Sequence, residues 1–244
     1  MDRELRTVLI VDGSAAMLYY HGALLRRLEY TVLAAATPEA ALKTMEQALP
    51  SLVLSGMSFP RMTGIDFIKT LKSSERTKTI PLIVLTAEED AAVRTMCQSM
   101  GVAAYLVKPV DPGKLYKAIQ ASTELTPREN IRINTSLKVV LEKGAAGNGG
   151  AERTECATTI SEGGLYLRTL SPQPRHAVTP IRIFIGDREI RATAEVLYTR
   201  AMEDGPFKEP GMAIKFVELS EEDRSYLRSF IQEQVTSGIK LELL

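Results

Sequence analysis

Three groups of residues have the types and spacing that chemistry needs. Asp12, Thr86 and Lys108 each stand at the end of an apolar run, in VLIVD, LIVLT and YLVK. A further run, in SLVLSGMSFPRMTG (residues 51–64), ends the same way at Gly56 but holds no carboxylate. An acyl phosphate needs a carboxylate nucleophile, and neither Gly56 nor Ser55 supplies one, so phosphoryl capture of that kind is excluded there. The second group is PRENIR, with Arg128 and Arg132 four residues apart, and the third is TISEGG, with Thr159, Ser161 and Gly164. With 30 Lys and Arg in 244 residues, an RxxxR spacing arises often and by itself marks a solvated face. His21 and His176 have no cysteine or carboxylate at ligand spacing, so neither is expected to hold a metal or to catalyse. Met96 and Met100 are expected in the core, and no residue is a candidate catalyst.

These residues need elements to hold them. Apolar runs at residues 7–11, 31–36, 51–56, 81–86 and 103–108 are short, often β-branched and not alternating, as strands covered on both faces should be. Helical patterns lie between them. Ser14 caps one that carries Met17, Leu24, Leu25 and Leu28, and Thr37-Pro38 opens one that carries Ala41, Leu42, Met45 and Leu49. Val93, Met96, Cys97 and Met100 share a face of another that Gly101 ends, and Asp111-Pro112 opens the last, with Leu115 and Ile119 facing inward. Strands alternating with helices predict an α/β doubly wound parallel five-stranded sheet, whose ligand crevice lies at the carboxyl ends of the strands. Asp12, Gly56, Thr86 and Lys108 occupy those ends.

VLIVDGSAAM, LVLSGMSFPRMTG, LIVLTA and YLVKP together resemble the receiver domain of two-component response regulators, a flavodoxin-like fold. In that family an aspartate four residues before the proline of the third loop accepts a phosphoryl group. Two acidic residues after the first strand help bind Mg²⁺, a Thr or Ser follows the fourth strand, and a lysine follows the fifth. Pro60 places the acceptor at Gly56. Asp12 keeps one acidic position while Gly13 stands at the other, Thr86 and Lys108 match, and Tyr105 matches the aromatic that couples to the Thr. One carboxylate of the family's three remains, too few for a hard octahedral cation, so poor Mg²⁺ binding is expected. The reading is a pseudoreceiver, a degenerate phosphoacceptor site of Asp12, Gly56, Thr86, Tyr105 and Lys108 in which Asp12 and Lys108 form a direct ion pair.

After Glu124 apolar runs follow one another with turns between them, which predicts antiparallel β structure. Strands are expected near residues 136–142, 155–159, 164–169, 180–185, 190–199 and 211–217, with a hairpin turn at Gly186-Asp187 and a flexible loop at GAAGNGG, residues 144–150. Ser220 with Asp223 starts a last helix that places Tyr226, Leu227, Phe230 and Ile231 on one face. The order of PRENIR, TISEGG, six strands and the ending GMAIKFVELSEEDRSYLRSFI resembles a PilZ domain over residues 126–236. That family binds cyclic di-GMP with an RxxxR arm and a [DN]xSxxG motif. The resemblance assigns cyclic di-GMP binding to Arg128, Arg132, Thr159, Ser161 and Gly164. Guanidinium forks suit phosphodiester oxygens and the O6/N7 edge of guanine, Ser161 offers a hydroxyl, and Gly164 lets backbone approach the ligand. Thr159 departs from the usual Asp or Asn. Loss of one charged hydrogen bond there weakens binding by ~1.5–3 kcal/mol without abolishing it.

The expected layout is a receiver-like domain over residues 1–123, a linker and arginine arm over 124–133, and an all-β six-stranded barrel with a C-terminal helix over 134–244. Formal charge is zero, balanced across the halves, without the basic excess of a nucleic-acid binder. Cys97 and Cys156 show no paired spacing, and the start lacks a signal-peptide pattern, so a reduced, cytoplasmic protein without membrane insertion is expected. The combined reading is a non-enzymatic signalling adaptor for motility or surface behaviour. Cyclic di-GMP is its ligand, with no cofactor, and a protein partner or second copy docks at the receiver half. The alternative is a pure interaction module whose barrel no longer binds the nucleotide.

Overall fold

The structure, a computed structural model, describes residues 6–142, 152–202 and 209–239, so the predicted loop at 144–150 lies outside the described residues. The chain divides into two compact units, Met1–Glu129 together with Val235–Leu244, and Asn130–Gln234.

The first unit is a five-stranded parallel sheet in the order β2-β1-β3-β4-β5. Its strands are β1 (Thr7–Val11), β2 (Thr31–Ala35), β3 (Leu52–Ser55), β4 (Leu82–Thr86) and β5 (Ala104–Val107). Every residue of β3 and β4 is buried, which is why these segments read as unbroken apolar runs. Helices α1 (Ala15–Arg27), α2 (Pro38–Gln47), α3 (Gly64–Ser73), α4 (Ala91–Ser99) and α5 (Pro112–Thr123) connect the strands. Ser14, Thr37, Thr63, Asp90 and Asp111 each accept a backbone N–H at a helix start. Leu9, Val53, Val84, Phe67 and Ile68 meet in the core.

Two sequence expectations change in this unit, at Leu49 and Met96, and one helix is added to it. Helix α3 was not read from the sequence; Thr63 caps it and Phe67, Ile68 and Leu71 bury its inner face. Leu49 is 48% exposed because α2 stops at Gln47, before the periodicity reaches it. Met96 is 46% exposed: Val93, Cys97 and Met100 make the inward stripe of α4, and Met96 falls on its flank. Gly101, at φ +76°, does follow that helix, as a residue without a Cβ can.

The second unit is a closed antiparallel barrel in the order β10-β11-β8-β7-β6-β9. It comprises β6 (Ile133–Leu141), β7 (Arg153–Ser161), β8 (Gly164–Arg168), β9 (Val178–Ile185), β10 (Arg188–Arg200) and β11 (Gly211–Leu219), followed by α6 (Glu221–Thr236). Strand β9 shows the cause of the fold most plainly: its alternate residues Thr179, Ile181, Ile183 and Ile185 are buried, one face in and one face out. Gly186, at φ +57°, turns the β9–β10 hairpin. Ser220 Oγ accepts the Asp223 N–H at 3.1 Å to start α6, whose Leu227 and Ile231 are buried. Arg188 of β10 grips the same turn, with Nη2 2.9 Å from both Glu222 Oε1 and Asp223 Oδ1 and its guanidinium 4.4 Å over the Tyr226 ring.

Candidate functional sites

The carboxyl ends of β1, β3, β4 and β5 bring Asp12, Gly56, Thr86 and Lys108 to one crevice, as the parallel order requires. Lys108 Nζ lies 2.5 Å from Asp12 Oδ2, and Asp12 Oδ1 accepts the Ser14 N–H at 2.9 Å. Both side chains are largely shielded, so the pair works in a reduced dielectric. Thr86 Oγ1 accepts the Glu88 N–H at 3.2 Å, and Tyr105 donates to the Glu88 carbonyl at 3.3 Å while Arg94 lies 5.1 Å over its ring. A Cβ built on Gly56 would stand 3.5 Å from Phe59 Cζ and 3.7 Å from Asp12 Oδ2. The Phe59 ring therefore lies against the place where a side chain at 56 would begin. The strand ends offer a divalent cation one carboxylate, with both oxygens already engaged, a poor fit to an octahedral oxygen site. His21, 2% exposed on α1, leaves Nδ1 without a hydrogen bond. Burial, reinforced by the Lys108 cation, pushes its imidazole down to about 4.

The arm begins at the end of α5. Arg6 Nε and Glu124 Oε1 pair at 2.8 Å, and Gln120, fully buried, accepts the Arg128 N–H at 3.2 Å while donating to Tyr30 Oη at 2.7 Å. Arg128 thus belongs to the first unit, and Arg132 to the second.

In the barrel, pairing register decides what faces outward together. Ile131 and Ile133 are buried and Arg132 between them is exposed. Ile133 pairs with Ile160, which puts Arg132 at the register position facing Ser161, and Asn134 pairs with Thr159. Ile160 is fully buried, so alternation turns Thr159 and Ser161 to the opposite face, where Thr159 is partly exposed and Ser161 is buried, 9% exposed. Ser161 Oγ donates to the Gly164 carbonyl at 3.0 Å across the turn, and Asn130 lies against that turn, its Nδ2 3.1 Å from where a Cβ on Gly163 would stand. Gly164 itself is demanded by packing: a Cβ there would meet Ile214 O at 2.1 Å and Lys215 Cα at 2.9 Å.

Residues 8–120 match the response regulator receiver domain, and residues 126–233 match the PilZ domain. The chain is a receiver domain followed by a PilZ domain. Protein PilH of Pseudomonas aeruginosa is 30% identical over 114 residues, 47% of this chain and 94% of PilH. The two-component response regulator ORR7 of Oryza sativa subsp. japonica is 31% identical over 109 residues, 44% of this chain and 52% of that protein, so the chain spans about half of it. The solved chemotaxis protein CheY4 of Vibrio cholerae aligns at 29% identity and TM-score 0.46, covering 48% of this chain and 98% of CheY4.

The receiver fold collects Asp12, Gly56, Thr86 and Lys108 at one end of the sheet, with Tyr105 on β5, and the PilZ barrel collects Thr159, Ser161 and Gly164 on β7 and β8, with Arg132 just before β6. Three features escaped the sequence reading. The loop pattern does not single out Phe59, although it is the one aromatic near Gly56 in SLVLSGMSFPRMTG. Asn134 becomes a neighbour of Thr159 only through the β6–β7 register. Tyr166, two residues beyond Gly164 and so on the same strand face, could have been found by period-two alternation. No helix among the described residues is long and apolar enough to cross a membrane.

Proposed function

We propose that this chain is a non-enzymatic signalling adaptor whose PilZ domain binds cyclic di-GMP and whose receiver domain docks a protein partner without taking a phosphoryl group. Control of motility or surface behaviour follows from that pairing of domains. One observation carries the ligand reading: Arg132 directly precedes Ile133, whose partner is Ile160, so the pairing register brings Arg132 beside Thr159 and Ser161. A cyclic dinucleotide presents two phosphodiester anions and two guanines, and guanidinium groups recognise both. Arg128 and Arg132 supply those groups, and Asn134 adds an amide next to the hydroxyl of Thr159. The receiver reading is supported by Gly56, which offers no carboxylate nucleophile, and by Lys108 held on Asp12.

The second reading, a barrel that has lost its ligand, is favoured by Ser161, whose hydroxyl is spent on the Gly164 carbonyl. Titration calorimetry of the full chain with cyclic di-GMP separates the two. Heat in the micromolar range for the wild type and its loss in Arg132→Ala support the sensor; no heat for the wild type refutes it.

A further inference from the structure

The outer face of the barrel carries a second constellation next to Thr159. Thr159 pairs with Tyr166, Tyr166 with Ala213, and Ala213 with Tyr198, so these four form one row across β7, β8, β11 and β10. Their neighbours Ile160, Leu165, Leu167, Met212 and Ile214 are all buried, which fixes the row on the outside. Ala213 is small, so the rings on either side of it lean together, with centroids 6.5 Å apart and planes tilted by 39°. The guanidinium of Arg200 lies over both, 5.4 Å from the Tyr166 centroid and 5.6 Å from that of Tyr198. Arg200 pairs with Gly211, where a Cβ would meet the Leu167 carbonyl oxygen at 2.0 Å and Tyr166 Cε1 at 3.0 Å, so the close strand approach beside the ring requires glycine.

The cluster is held in place before any ligand arrives. Tyr166 donates its hydroxyl to the Glu209 carbonyl at 2.6 Å, and Glu209 Oε2 accepts from Thr158 at 2.7 Å. Tyr198 remains 40% exposed, a large flat surface open to solvent at the exposed end of β10, where Leu197 and Thr199 are exposed too. An anchored ring one strand pairing from the Thr159 hydroxyl, an open ring two pairings further along the same row, and a guanidinium over both make an arrangement that can stack a heterocyclic base. Stacking uses the ring, the cation adds to it, and a donor fork can reach the O6/N7 edge of a purine.

We infer that Tyr166, Tyr198 and Arg200 form the floor on which one guanine of the bound cyclic dinucleotide stacks, continuing the site from Thr159 across β8 and β11 to β10. The inference rests on the cyclic di-GMP reading and deepens it by giving one guanine a stacking surface, in addition to the edge and phosphate contacts of Arg128 and Arg132. Tyr166 and Arg200 set the platform, and Tyr198 carries the open contact surface. The hydroxyl of Tyr198 has no part in it.

The test uses the full chain in calorimetric titration with cyclic di-GMP, comparing wild type, Tyr198→Ala, Tyr198→Phe and Arg132→Ala. Tyr198→Phe keeps the ring and is expected to bind within about threefold of wild type, while Tyr198→Ala should weaken binding roughly ten- to hundredfold. An independent readout comes from ¹³C-labelled tyrosine in the wild type: of the 8 tyrosines, the signal missing in Tyr198→Phe is that of Tyr198. Saturation with cyclic di-GMP should move that ring signal upfield through the ring current of the stacked base, a change that a purely structural tyrosine would not show. If Tyr198→Ala binds as wild type and the ring signal stays in place while Arg132→Ala loses affinity, the platform is overturned and the cyclic di-GMP reading stands. If the wild type gives no heat and no shift, both fall.

Discussion

Replacing Lys108 with Met tests whether the receiver crevice is a clasp or a phosphoryl site. The substitution keeps most of the aliphatic stem and removes the ammonium 2.5 Å from Asp12 Oδ2. Asp12 then remains as a carboxylate, 7% exposed, with the Ser14 N–H as its remaining hydrogen bond of those described. Removing one partner of a buried pair costs ~3–5 kcal/mol, because the other charge is left uncompensated. The Ser14 bond and the partial exposure of Lys108 place this site at the lower end, about 3 kcal/mol. Asp12→Asn with Lys108→Met removes both charges and should recover most of that loss, giving a coupling energy of about 2 kcal/mol. Native-state amide exchange at Leu9 and Val53, both fully buried in β1 and β3, reads the opening of the receiver domain within the full chain. A cost for Lys108→Met below about 0.5 kcal/mol, or purely additive single variants, would refute the clasp.

Burial holds the His21 imidazole down at about 4 against 6.5 in a free side chain. The unfolded chain therefore binds more protons between those values, and stability rises with pH across that window and is flat above it. The magnitude is about 3 kcal/mol lost between pH 7 and pH 4, and His21→Leu should flatten the urea midpoint over that range relative to wild type. Gly56→Asp begins a side chain in ordinary contact with Phe59 Cζ at 3.5 Å and 3.7 Å from Asp12 Oδ2, so a like charge joins Asp12. The variant should unfold at lower urea in EDTA and recover part of the loss in millimolar Mg²⁺, since two carboxylates now face the cation. An equal Mg²⁺ response in wild type would contradict the ligand count.

The sequence carried the fold because two periodicities announce it. Unbroken runs such as LIVLT appear where both strand faces are covered, and alternation such as VTPIRIFI appears where one face is wet. It also carried the Asp12–Lys108 pair, because parallel topology alone brings those strand ends together. Helix α3 was hidden by a glycine at its first position and by the loop motif running into it, although Thr63 and Asp66 form its cap. Asn134, Tyr198 and Arg200 were not legible for a different reason. Their neighbours are set by register between strands far apart in sequence, and both β6–β7 and β10–β11 contain shifts that no local pattern predicts.

Those register shifts bear on the proposed nucleotide site. Without the irregularity between Val196 and Tyr198, period-two alternation from buried Val196 would put Leu197 on the outer face and turn Tyr198 inward. The extra residue restores Tyr198 to the outside, opposite Ala213 and in the same row as Tyr166 and Thr159. A second shift, between Ala157 and Thr159, does the same on β7: with Ala157 fully buried, alternation would expose Thr158 and bury Thr159. Instead Thr159 faces out beside Ser161, and Thr158 turns its hydroxyl to Glu209, which also receives Tyr166 through its carbonyl. Both bulges re-aim side chains toward one patch of the barrel. Bulges of this kind re-aim side chains next to binding sites at a local cost in strand pairing. Two of them converging on Thr159, Tyr166 and Tyr198 argue that the patch is shaped for a ligand and not merely left over from closing the barrel.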